Sequence, residues 1–316
     1  MSPRFALTAF LCISVETFSA FAGYAGEPPA KTPAAQPKSE SQAAAPVSPT
    51  FLPSKHGFAF RNSFSGSPLP KPLRGFGIET AVGAPSKYGK CGGMSLAAAD
   101  LFYSGTAPPA HTVPPAEDSP LFDYITQRQT DSLGAMGVMA ATFARFMVAP
   151  DTSDTSPSAA SLTVPEIAPI LARLDKGELV PLGLVYVGIG GKSAGMLWDN
   201  HQVLAFKSKA NGDGWNGTKE RDSTDIHIYD PNFPRDDRVV IRVSKIAAKA
   251  GAPEMVKCEE TSGTGRKIKV RGLFIMPYEK RLPPTDLSGD KPGFPPKKST
   301  AASPPPAISS PDSVPR

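Results

Sequence analysis

The sequence predicts an α+β fold in which N-terminal helices pack on a mostly antiparallel sheet. Two observations carry this prediction. Apolar residues recur at helical spacing up to about residue 177 and alternate from about residue 182 onward. Loops rich in Gly, Asn and Asp then separate the strand candidates, and helices followed by strands argue against a doubly wound parallel sheet.

Taken in order, residues 91–104 carry Met94, Leu96, Ala97, Ala98, Ala99, Leu101 and Phe102, apolar on nearly every side. This predicts a buried helix, stopped by Gly105 and the Pro108-Pro109 pair. A second helical region is expected from Leu121 to Met147, with Leu133, Met136, Ala140, Phe143 and Met147 at helical spacing. After a Ser/Thr/Asp/Pro loop over 150–161, Thr163-Val164-Pro165-Glu166 reads as a capping box, and Ile167, Ile170, Leu171 and Leu174 line one face. Pro169 conflicts with so early a start. Strands are expected over 182–188, 201–207, 225–230, 239–243 and 267–276.

Prolines set the domain limits. Of the 36, many fall in 23–55 and 281–316, where Ala, Pro, Ser, Lys and Gln dominate and no apolar period persists. Such composition cannot bury enough apolar surface to offset the entropy of ordering. The expected organisation is a disordered linker over 23–71, one domain over 72–280 and a disordered tail over 281–316. Residues 1–22 read as a cleaved secretory signal: Arg4 is the positive start, Phe5 to Val15 the apolar stretch, and Ala20-Phe21-Ala22 the small-residue cleavage site. The apolar stretch is too short to span a bilayer, so a secreted or periplasmic protein without a membrane helix is expected. The net charge of +5 draws on many tail lysines and reads as solubility, not nucleic-acid binding.

With Cys12 in the signal segment, two cysteines remain, Cys91 and Cys258. In an oxidising compartment a disulfide is the default for such a pair. Yet "GKCGGMS" puts Cys91 at a helix N-terminus, where the dipole and free backbone N–H groups hold a thiolate. Gly92 and Gly93 are expected to leave the backbone open to a substrate. A thiolate nucleophile needs a histidine and an orienting group. "WDNHQVLAF" places His201 at the start of a strand, and "DIHIYDPN" places Asp230 at the end of another, on the face of Ile226 and Ile228. If those strands are neighbours, Asp230 reaches the outer ring nitrogen of His201. His227 then points the other way, and His56 and His111 lack such framing.

Two tempting motifs fail. "GIGGKSAG" has Tyr186 where a phosphate loop needs Gly, and no helix follows it. "NGDGWNG" lacks the closing Glu of a calcium loop and reads as a hairpin tip. No histidine or cysteine spacing suggests zinc, so neither metal nor cofactor is expected.

The motifs "KCGGMS", "NHQVLA" and "IYDPN", in that order, resemble the papain-like cysteine peptidase superfamily, in particular bacterial double-glycine leader peptidases of Cys-His-Asp type. The resemblance spans roughly residues 72–280. It implies a papain-like fold with Cys91 as nucleophile, His201 as general base and then acid, and Asp230 as its orienter. The upstream Gln that helps form the family's oxyanion hole has no counterpart between Phe51 and Cys91, which leaves Tyr88 and Asn200 as candidates beside the Cys91 N–H. The expected activity is that of an exported thiol hydrolase, a peptidase or amidase, on a peptide, protein or peptidoglycan-type substrate, with acyl transfer as a variant. A catalytically inactive secreted binding or surface protein of the same fold is the alternative.

Overall fold

Helices precede the main sheet along the chain. The computed structural model describes residues 50–66, 87–134, 137–189, 195–247 and 249–287. Its helices are α1 (Pro53–His56), α2 (Cys91–Tyr103), α3 (Pro120–Ser132), α4 (Val138–Val148) and α5 (Ala159–Asp175), with a short hairpin of β1 (Phe64–Ser65) and β2 (Lys87–Tyr88) before α2. The strands β3 (Val180–Val185), β4 (His201–Asn211), β5 (Ser223–Tyr229), β6 (Val240–Ile246), β7 (Met255–Thr261), β8 (Lys267–Val270) and β9 (Gly272–Ile275) follow. The expected signal segment, much of both Pro-rich stretches and residues 190–194 of "GIGGKSAG" lie outside the described residues.

Strands β3 to β9 form one antiparallel sheet in the order β8-β7-β6-β5-β4-β3-β9. Only Arg271 separates β8 from β9, so one run of chain carries both ends of the sheet and the sheet curls upon itself. Its inner face, including Val203, Ala205, Ile226, Ile228, Ile241 and Cys258, closes with Ile167, Ile170 and Leu174 of α5 into one apolar cluster. On the opposite face of β4 and β5, Leu204, Phe206 and Tyr229 receive α2 and α3. Period-two alternation thus sends His201 inward and Gln202 toward the helices. "NGDGWNG" is the tip of the β4–β5 hairpin, as the sequence predicts.

Several expectations are corrected. The domain does not begin at residue 72, because Phe51, Phe58, Phe60 and Phe64 are buried in the α2 cluster. This segment is also tied down by hydrogen bonds: Phe58 N–H donates to Tyr229 Oη (3.2 Å), Asn62 N–H to Pro231 O (3.0 Å), and Ser54 to both carboxylate oxygens of Asp237. Four phenylalanines provide the apolar area that its Pro/Ser-rich surroundings disguise. Nor does order end at residue 280, since Leu287 is buried and Arg281 N–H donates to Asp100 Oδ1 (2.9 Å).

The helix expected over 121–147 is two helices, α3 and α4. Gly134 and Gly137 both take φ of 73°, which breaks the helix and suits glycine. The capping box of α5 is Ser158 with Ser161, not Thr163 with Glu166. Thr163 and Glu166 instead accept from Leu273 N–H (3.1 Å) and Ile275 N–H (3.0 Å) of β9. Pro165 and Pro169 are tolerated within α5 because both lie on its exposed side, where water can satisfy the carbonyls they leave unpaired. Strand β7 was not predicted: Lys257, Glu259, Glu260 and Thr261 mask its alternation.

Candidate active site

The first turn of α2 is fixed from two sides. Four N–H groups at a helix start lack intrahelical acceptors. Here Lys90 N–H donates to Asn62 Oδ1 (2.6 Å) and Gly93 N–H to Gln129 Oε1 (2.9 Å), while Met94 N–H is the first to reach back, to Lys90 O. Between the two capped positions stands Cys91, at the first helical residue and partly exposed. The Lys90 side chain is buried, with Nζ 2.8 Å from Thr126 Oγ1 and 4.4 Å from the centre of the Phe122 ring.

Gly92 and Gly93 do not open the backbone to a substrate, as their position suggested. Both are buried. A Cβ on Gly92 would lie 1.9 Å from Gln202 Oε1 and 2.3 Å from Ser132 Oγ, and one on Gly93 would lie 2.1 Å from Ile125 O. The glycines let the helix start press against α3 and β4, which brings Cys91 to His201.

Strands β4 and β5 are neighbours, with Leu204 opposite Tyr229 and Ala205 opposite Ile228. The end of β5 therefore meets the start of β4, and His201 Nε2 lies 2.6 Å from Asp230 Oδ1. Both side chains are buried. Cys91 stands close enough to the His201 side chain to act on its charge as well. With Nε2 turned to Asp230, Nδ1 is the nitrogen left for the thiol. Burial alone would disfavour the imidazolium, but the charges of Asp230 and Cys91 and the Asp230 hydrogen bond outweigh it and hold His201 well above the usual imidazole range. Burial likewise opposes the Asp230 carboxylate, yet the His201 charge and hydrogen bonds keep it below the usual carboxylate range.

Further groups complete the surroundings. Asn232 N–H donates to Asp230 Oδ1 (2.7 Å), and the Asn232 side-chain amide lies 3.2 Å from His201 Nε2. Asn62 joins this loop to the helix, since its Nδ2 donates to Asn232 Oδ1 (3.4 Å) while its Oδ1 caps Lys90. The Tyr186 ring stacks on His201 at 6.2 Å between centroids, and its hydroxyl donates to Glu260 Oε2. Burial and the neighbouring Asp230 charge push the Glu260 carboxyl up to about 7. Sequence reasoning missed Asn62, Tyr186, Asn232 and Glu260. Only the placement of Asn232 within the Asp-Pro-Asn turn offered a signal.

Asn200 is not placed to stabilise an oxyanion. Its Nδ2 is committed to Leu197 O and Met147 Sδ, each at 3.1 Å, and its Oδ1 accepts from Tyr186 N–H (3.0 Å), so it locks the approach to β4. Tyr88 packs on Phe64 and lies beneath Lys90 Nζ, 5.2 Å from the ring centre. Cys91 and Cys258 are free thiols: Cys258 belongs to the inner face of the sheet, where burial pushes it up to about 12. His56 accepts from Leu52 N–H and packs on Phe102, and His227 packs on Phe206.

Among the described residues no group of three or more His, Cys, Asp or Glu is placed to hold a metal ion, and no helix is long and apolar enough to cross a membrane. Compared with protein families, with curated proteins and with solved structures, the chain matches none.

Proposed function

We propose that the protein is a thiol hydrolase of papain-like construction, a peptidase or amidase working through a thioester on Cys91. The observation that carries this reading is the convergence of Cys91, His201 and Asp230 from three separate segments, with Asp230 hydrogen-bonded to the His201 ring and Cys91 acting on the same ring. A raised His201 beside a thiol at a helix start favours the thiolate–imidazolium pair.

In this mechanism the Cys91 thiolate attacks the amide carbon, and the carbonyl electron pair moves onto oxygen. The Cys91 backbone N–H supplies one donor to that oxyanion. Collapse breaks the C–N bond, and the leaving amine takes the His201 proton, which gives the thioester and a neutral imidazole. Water then gives a proton to His201 as it attacks the thioester, and the acid product leaves with the thiolate restored. Asp230 keeps the ring oriented and offsets its charge throughout. The signal-like residues 1–22 put this chemistry outside the cytoplasm, on a peptide, protein or peptidoglycan-type substrate. The second reading, a binding protein without turnover, is favoured by one observation: the Asn200 amide is committed elsewhere.

Alkylation of Cys91 by iodoacetamide across pH tests the reading. Labelling below about pH 7 that outpaces an ordinary thiol supports it. Labelling at the rate of an ordinary thiol, unchanged in His201→Ala, sinks it in favour of the binding protein.

A further inference from the structure

Glu260 has no part in the steps above, yet it lies beside Asp230 and His201, which do. It sits on β7 opposite Ile241 of β6 and Ile268 of β8, and its side chain is buried. Oε2 accepts from the Tyr186 hydroxyl, whereas Oε1 is buried without a hydrogen-bond partner among the described residues. A buried carboxylate with a bare oxygen is costly, but a carboxylic acid needs only an acceptor for its proton. Asp230 is that acceptor, for its charge acts directly on Glu260. The His201 ring and the Asn232 N–H both reach Asp230 at Oδ1.

We infer that Glu260 is a positioning residue that stores one proton behind the Asp230–His201 pair, so that Tyr186, Glu260, Asp230 and His201 act as one ordered series. This rests on the thiol-hydrolase reading. As an acid, Glu260 draws charge from Asp230 and anchors the Tyr186 ring that covers His201. Once its proton leaves, a second negative charge faces His201 and tightens the ring's hold on its own proton, which in turn favours the Cys91 thiolate. The charged and titratable groups that face Glu260 are Asp230 from the end of β5, His201 from β4 and Tyr186 from the end of β3. Its sheet neighbours Ile241 and Ile268 carry no charge. Cys91 acts on His201 and Tyr186, the groups beside it.

The test uses the full chain and two readouts. Infrared spectra of the unmodified protein are expected to show a buried carboxylic-acid carbonyl band that fades as pH rises through about 7. Iodoacetamide alkylation of Cys91 is expected to climb through a step in the same range, of about threefold or more, the rate equivalent of half a pKa unit. Glu260→Gln removes the step and the band. Tyr186→Phe moves both to higher pH, because the lost hydrogen bond favoured the charged carboxyl. Absence of the band at the acid end overturns the inference, whether or not the variants fold. So does a step that survives in Glu260→Gln. Failure of the parent reading looks different: Cys91 alkylation would then be indifferent to His201→Ala, while the band in the unmodified protein still reports on Glu260.

Discussion

The two walls of the site are built on opposite principles. On the helix side, Cys91 is positioned by volume: Gly92 and Gly93 press against Gln202, Ser132 and Ile125, and a cluster rich in phenylalanine backs the helix. On the sheet side, His201 is positioned by charge, through Asp230, Asn232, Tyr186 and Glu260 where the curled sheet ends in polar side chains. The difference teaches where each wall fails. The helix wall should respond to single atoms and ignore pH, and the sheet wall should do the reverse.

The largest expected effect breaks the helix wall. Phe60 is fully buried in a segment whose composition resembles a linker. Phe60→Ala should cost about 3–5 kcal/mol of unfolding free energy, measured by urea titration, where a true linker position would cost almost nothing. Next comes the sheet wall: His201→Ala should slow Cys91 alkylation near pH 6 by about 10²-fold, since an ordinary thiol with a pKa of about 8.5 is scarcely ionised there. A smaller effect sharpens the helix wall. Gly93→Ala meets the Ile125 carbonyl, a backbone atom that cannot swing aside, and should lose about 1–3 kcal/mol even though Ala is the better helix former. Gly92→Ala meets two side-chain ends and should lose less.

The smallest effect sharpens the sheet wall and is a slope. Glu260 has its pKa raised from 4.5 to about 7, so the folded protein binds more protons than the unfolded chain between those values. Stability should therefore fall as pH rises through that window, then level off for this group. His201 is also raised, so its contribution is complete below its unfolded value of 6.5 and is lost only as pH rises through its higher folded value. Thermal unfolding of the wild type and of Glu260→Gln across pH separates the two: the variant should lose the slope between about 5 and 7 and keep the one above it.

Much of the sheet wall was legible in the sequence, and rather less of the helix wall. His201 and Asp230 stand out because alternation fixes their face and Asp-Pro-Asn marks the strand end. Whether those ends met depended on the pairing of β4 with β5, which adjacent strands commonly adopt. Cys91 was legible through its glycines, although their reason was misread: they serve packing rather than substrate access. Glu260 was hidden because it lies on a strand that was not predicted, and because its approach to Tyr186 requires the sheet to curl. Asn62 was hidden by its neighbours, since local composition hides four phenylalanines whose partners in α2, α3, β4 and β5 lie elsewhere in the chain.

The last strand carries one further consequence. The outward N–H groups of Leu273 and Ile275 in β9 are taken by Thr163 and Glu166 of α5. An edge whose donors are already engaged offers no template for strand addition, whether by a second copy or by a passing unfolded chain. A side-chain oxygen from a helix thus does the work of a missing strand. The cost falls on that helix, which must keep Thr163 and Glu166 at fixed heights against the sheet, so a one-residue slip in α5 would uncover a sticky rim.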